Sequence, residues 1–119
     1  MKIAIVAIGR LARSPETELV KLYVERATAA GFALRQSGPM TMPLFLFDDD
    51  PDLRKGFCWS SAMLERGVYV HPWHNMFICA AMTDADIDFA LAAAEAAFAE
   101  LKKQAPGLTP VEKLSFLRA

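Results

Sequence analysis

Residues 70–77 read Val-His-Pro-Trp-His-Asn-Met-Phe and hold both histidines of the chain, His71 and His74, three positions apart. An apolar run precedes the stretch (Val68-Tyr69-Val70) and another follows it (Met76 to Ala81). A helix that carried both histidines on one face would need a backbone donor at Pro72, which proline lacks. The β-branched and aromatic flanks instead predict two short strands, 68–72 and 76–81. In an extended segment, residues three apart point to opposite faces, so the two imidazoles do not converge on one ion. Two ligands are also fewer than a zinc site uses, and no cysteine or carboxylate stands nearby at ligand spacing. The residue-level expectation is a pair of loop histidines at a strand edge, bonded to backbone groups, with no metal bound. A small metal-binding protein remains an alternative, because a loop that brings Asp48–Asp50 close would add oxygen donors.

Working outward, residues 2–8, Lys-Ile-Ala-Ile-Val-Ala-Ile, form an apolar run ending at Gly9 and predict a buried strand. Ser14-Pro15-Glu16 opens a helix: serine caps, proline is preformed for the first turn, and Glu16 and Glu18 suit the positive helix end. Leu19, Leu22, Tyr23, Ala27 and Ala30 line one face of that helix, and Gly31 closes it. Residues 32–38 and 43–49 predict two strands across a Gly-Pro connection. Asp50-Pro51 repeats the cap-then-proline grammar for a second helix that stops at Gly67. Thr83 caps the last long helix, with Asp84 and Asp86 in its first turn and Lys102 and Lys103 in its last. Its inward stripe is Ile87, Leu91, Ala94, Phe98 and Leu101. A tail of one or two helical turns follows Pro106-Gly107. The predicted order is β-α-β-β-α-β-β-α, an α+β two-layer sandwich with helices on one face of a mostly antiparallel sheet.

With 119 residues, 54% hydrophobic and 23% charged, the chain is expected to fold as a single globular domain, 1–119, rather than to remain disordered. The formal net charge is −1 and the densest basic grouping is Lys102-Lys103, so nucleic acid is not favoured as a partner. The cysteines, Cys58 and Cys79, read as buried free thiols suited to a reducing compartment. The N-terminal run is too short for a membrane span and has no cleavage pattern, and the Ala-rich stretch 90–99 is broken by Glu95. These features predict a cytoplasmic protein with no membrane partner.

The remaining chemistry is sparse. Three adjacent aspartates at 48–50 cannot all converge on one cation, and the last of them reads as a helix cap. Ser60-Ser61 has no neighbouring base and belongs to a helix face, which argues against a nucleophile. Gly9 has no partners at dinucleotide-binding spacing. Trp59 and Trp73 read as packing residues. No catalytic residue emerges.

Two stretches carry family resemblances. Residues 29–50, AAGFALRQSGPMTMPLFLFDDD, and 63–98, MLERGVYVHPWHNMFICAAMTDADIDFALAAAEAAF, resemble the C-terminal small domain of class III (fold type I) pyridoxal-phosphate aminotransferases, on the glutamate-1-semialdehyde aminomutase side. The span is about 26–103. Two departures are Cys79, where serine is common, and Met82, where histidine usually precedes Thr83. The resemblance implies that the loop 71–77 faces an active-site entrance, with His71, His74, Asn75 and Phe77 on the substrate side. It also implies that the cofactor's Schiff-base lysine belongs to a large domain that has no counterpart here. None of Lys2, Lys21, Lys55, Lys102, Lys103 and Lys113 sits in that lysine's context. Residues 1 to about 28 (boundaries good to a few residues) resemble instead the start of SPOUT-class 23S rRNA pseudouridine N3-methyltransferases, through the strand, the Gly-Arg-Leu turn and the Pro-Glu-Thr-Glu-Leu helix. The Gly-rich knot loop that holds S-adenosylmethionine in that family has no match.

The chain is therefore expected to be chimeric and truncated: segment 1–28 of one resemblance, 29–103 of the other, and a tail 104–119. The function it implies is a class III aminotransferase-like small domain without its cofactor-binding domain, non-catalytic alone, with no cofactor of its own. Its N-terminal strand would cover an edge or an apolar surface that a large domain once buried. Such a surface favours a homodimer or another protein partner. A SPOUT-type, S-adenosylmethionine-dependent rRNA methyltransferase relative is the alternative from the enzyme class.

Overall fold

The computed structural model describes residues 15–39 and 42–110, with the side chains of residues 15–17 left aside. Its elements are helix α1 (Pro15–Ala29), strands β1 (Leu34–Ser37) and β2 (Leu44–Phe47), helices α2 (Arg54–Glu65) and α3 (Asp84–Gln104), and a 3-10 turn at Ala105–Gly107. The fold class is α+β, with three helices and a two-stranded antiparallel sheet among the described residues.

The helix ends follow the local chemistry. Both α1 and α2 stop in the same pattern of crossed backbone bonds. Gly31 N–H donates to Thr28 and Phe32 N–H to Ala27, each at 2.9 Å; Gly67 N–H donates to Leu64 and Val68 N–H to Met63, each at 3.0 Å. This Schellman geometry needs a positive φ at its glycine, and Gly31 and Gly67 have +91° and +83°. The residue after each glycine, Phe32 or Val68, then folds back onto the core. At the start of α3 the Thr83 hydroxyl accepts from Asp86 N–H (3.2 Å), while the Asp86 carboxylate accepts from Thr83 N–H (2.8 Å). That reciprocal box fixes the helix start.

The second helix begins later than the sequence predicts. Asp50 caps it, but from a distance: residues 51–53 form a turn, Leu53 takes a left-handed conformation with φ +59°, and the helix starts at Arg54. The Asp50 carboxylate accepts from Lys55 N–H (2.9 Å) and Gly56 N–H (2.8 Å). Pro51 therefore does not occupy the first helical turn.

Strands β1 and β2 pair with Leu34 opposite Phe47 and Ser37 opposite Leu44. Period two puts Leu34, Phe45 and Phe47 on the buried side. The core is an aromatic cluster on α3. The Trp59 and Phe98 rings stack at 5.2 Å, Phe47 meets both edge-on, and Phe32 and Tyr23 close the sides. The predicted stripes hold, with Leu19, Tyr23, Ala27, Leu91, Ala94, Phe98 and Leu101 all buried. Leu22, Ala30 and Ile87 are only partly so, and Val20, Ala93 and Ala97 join the buried set.

The predicted strands at 68–72 and 76–81 form no ladder among the described residues, so the order β-α-β-β-α-β-β-α is corrected there. Met76 N–H donates to the Pro43 carbonyl at 2.8 Å, just ahead of β2, but proline has no N–H to return the bond, so pairing stops after one contact. Cys79 is exposed and Cys58 half-buried, so the expected burial of both thiols is also corrected. The strand predicted at 2–8 and most of the predicted tail lie outside the described residues.

Candidate functional site

The loop 71–77 is seated on the start of α2. Pro72 is buried above Gly56, where a β-carbon would meet Pro72 Cβ at 3.4 Å and Asp50 Oδ2 at 3.5 Å. The Trp73 ring packs on Phe57 at 5.3 Å and meets His71 edge-on at 4.5 Å. The same carboxylate that caps α2 thus holds the helix turn on which the loop rests, and the Met76–Pro43 bond ties down the loop's other end.

The structure brings the two histidines together, where extended geometry predicts opposite faces. The chain bends at residues 72–74, and the rings lie 5.8 Å apart. His71 Nδ1 accepts from Trp73 N–H at 3.3 Å. His74 Nδ1 lies 2.9 Å from the Asn75 carbonyl, which only accepts, so that nitrogen carries the proton. Both imidazoles bond backbone groups, as the sequence suggests. Among the described residues no group of three or more histidines, cysteines or carboxylates is placed to hold a metal ion. Of the residues assigned to the substrate side, His74 and Phe77 are exposed and His71 and Asn75 half-buried. Trp73, 43% exposed, is a surface residue more than the core residue its sequence context suggests.

The three aspartates of 48–50 take three different partners. Asp48 pairs with Arg35, Asp49 with Lys55 at 2.6 Å, and Asp50 with the α2 backbone. The lysine bond holds the Asp49 carboxyl below the usual carboxylate range. The Asp52 carboxylate accepts from Arg54 Nε and from one of its terminal nitrogens, and the guanidinium also reaches the Leu108 carbonyl at 3.0 Å. The Ser60 hydroxyl is spent on the Phe57 carbonyl at 3.1 Å.

Beside the loop lies an apolar groove of about 370 Å³, bounded by α1, β2, residues 67–70, residues 76–78 and the first turns of α3. Tyr23 stands in its wall, and burial pushes that phenol up to about 12, so it stays neutral. Four large side chains on its edge are exposed: Tyr69 at 72%, Phe77 at 62%, Phe89 at 57% and Met82 at 42%. Of these, only Phe77 was flagged by sequence. The signal for Phe89 was available: it sits two residues after Ile87, off the inward stripe, and an aromatic on the outward face of an amphipathic helix needs a cover.

No protein-family model matches the chain. Over 80 residues, two-thirds of its length, it is 46% identical to an aminopentol aminotransferase from Sphingopyxis macrogoltabida. The structure of the pyridoxal-phosphate internal aldimine form of the FumI protein of Sphingopyxis sp. MTA144 matches 83% of the chain, with a TM-score of 0.80 at 39% identity. The chain resembles the small domain of a class III aminotransferase. A second stretch of 34 residues is 88% identical to ribosomal RNA large subunit methyltransferase H of Phenylobacterium zucineum. The chain spans only 19% of the aminopentol aminotransferase, 22% of the methyltransferase and 24% of the FumI chain.

The aminotransferase relatives are pyridoxal-phosphate proteins, and the described residues here do not fit that group. No lysine lines the groove. The Lys55 ammonium is tied to Asp49, and the side chains of Lys21 and Lys103 are 65% and 77% exposed. A Schiff base needs a lysine facing an enclosed site, and none of the described ones does so. No helix of the described residues is long and apolar enough to cross a membrane.

Proposed function

We propose that this chain folds as an aminotransferase-type small domain, is non-catalytic by itself, and acts as an interaction or structural module. The observation that carries the reading is the apolar face. Tyr69, Phe77, Met82 and Phe89 stand exposed around one groove, on a chain that matches only about a fifth to a quarter of its aminotransferase relatives. Contiguous apolar surface of this kind marks an interface. In this reading a second copy or another protein covers the rim, nucleic acid and membrane are not partners, and the setting is the cytoplasm. In this reading His71, His74, Asn75 and Phe77 correspond to the substrate-facing loop of the aminotransferase small domain, and the chain is chimeric in origin.

The test is a titration of the purified chain with pyridoxal phosphate, followed by absorbance and by light scattering. The expected result is no internal aldimine band and a mass above that of the monomer. A monomer that forms a stoichiometric aldimine refutes the reading. The 88% match over 34 residues favours one competitor, a methyltransferase relative that binds S-adenosylmethionine. Calorimetric titration with S-adenosylmethionine decides it, and saturable binding would replace the module reading.

A further inference from the structure

The groove beside the 71–77 loop combines an apolar hollow with a raised rim on one face. Tyr23, Phe45, Val68, Met76 and Ile87 line the hollow, about 370 Å³ in volume. Tyr69, Phe77, Phe89 and Met82 stand around it with 72%, 62%, 57% and 42% of their surface in water. Contacts across the fold fix that rim. The Phe89 ring lies over the Gly67 turn, where a β-carbon would stand 3.5 Å from its Cζ, so the start of α3 and the segment leaving α2 form one continuous surface. The 2.8 Å bond from Met76 N–H to the Pro43 carbonyl holds the segment that carries Phe77. Large apolar side chains raised on a fixed backbone keep their area in water, which is costly.

We propose that the occupant is a second copy of this chain, in a two-fold dimer in which the ringed rim of each copy enters the groove of the other. The proposal rests on the module reading above and names its partner. Charge is the first argument. Among the described lining residues Asp86 alone is charged, and its carboxylate is engaged by the Thr83 amide and hydroxyl at 2.8 and 2.9 Å. Such a face is complementary to a surface as neutral and apolar as itself, and not to a nucleic acid or a charged peptide. Area is the second. At roughly 200 Å² per aromatic side chain, the three exposed rings leave about 400 Å² in water on one copy. With Met82 and the groove mouth counted on both copies, a face-to-face pair buries about 1,000 Å², where specific interfaces begin. Shape is the third. A patch that carries both projecting rings and a hollow is self-complementary about a two-fold axis, with each contact made twice.

The test is the oligomeric state of the full chain across dilution. A contact at this small end of the size range should dissociate in the micromolar range, as sedimentation equilibrium reads. Phe77→Glu and Phe89→Glu each replace a ring that is already exposed in the single chain, and each should weaken the dimer by roughly thirtyfold or more. Lys103→Glu, with a side chain 77% exposed and roughly 21 Å further along α3 than Phe89, should leave it unchanged. Amide hydrogen exchange at residues 67–70 and 76–78 should slow as the concentration of the unsubstituted chain rises. A monomer at every concentration overturns the proposal. So does a dimer that neither ring variant weakens, or that Lys103→Glu weakens equally. Exchange at the two segments that is the same at all dilutions also overturns it, because the groove is then covered within one chain or open throughout. That arm needs no substitution, so it decides the matter even where circular dichroism shows a variant unfolded. Failure of the module reading shows separately, as an aldimine band with pyridoxal phosphate.

Discussion

Replacing Asp50 by alanine removes the one side chain that caps α2. The Asp50 carboxylate is 6% exposed and accepts from Lys55 N–H and from the buried Gly56 N–H, while the residue at the formal cap position, Leu53, offers no side-chain acceptor. Loss of a cap costs about 1 kcal/mol. Leaving a buried donor that had bonded a charged acceptor adds about 1.5 kcal/mol or more, for a total of about 2–3 kcal/mol. With a urea slope of about 1.5 kcal/mol per M, Asp50→Ala should lower the unfolding midpoint by roughly 1.3–2 M at unchanged slope. Asp50→Asn keeps one acceptor oxygen and should cost about half as much. Because Pro72 rests on Gly56, hydrogen exchange across 70–77 should also quicken in Asp50→Ala before global unfolding. A midpoint shift below about 0.3 M, or equal shifts for alanine and asparagine, would refute remote capping as what seats the loop.

Gly67→Ala places a β-carbon at φ +83° and should destabilise by about 1 kcal/mol through the left-handed backbone alone, since the nearest atom, Phe89 Cζ, stands at an ordinary 3.5 Å; thermal unfolding measures it. Phe98→Ala empties the ring cluster it shares with Phe32, Phe47 and Trp59 and should cost about 3–5 kcal/mol in the same assay. Alkylation at neutral pH should modify exposed Cys79 well before Cys58, whose thiol burial pushes up; Cys58 labelling should rise only as pH climbs above the ordinary thiol range, as peptide mass mapping would read. Bonds from Thr83 hold the Asp86 carboxyl below its ordinary value, so its contribution to stability is present above the unfolded pKa of about 4 and fades as pH falls through the lowered folded value. Asp86→Asn should flatten that acid limb of the pH–stability curve.

The sequence by itself determined the local grammar of this protein. Gly31 and Gly67 end helices because crossed carbonyl bonding needs a left-handed residue there, and Thr83 with Asp86 starts one because their side chains satisfy each other's free amides. The stripes through Tyr23 and Phe98, the β1–β2 pair and the aminotransferase resemblance of the 71–77 loop were all legible in residue order. Tertiary structure decided what depends on contacts distant in sequence. Apolar runs at 68–72 and 76–81 have the composition of strands, but a ladder needs a neighbour with both donor and acceptor, and Pro43 offers only the acceptor. The histidines meet because Pro72 is pressed onto Gly56 and the chain bends there, which no spacing rule contains. The exposed rim of Tyr69, Phe77, Met82 and Phe89 likewise comes into being only when a turn, a loop and a helix start are folded against one another, since no one of those segments contains the other side chains of the rim.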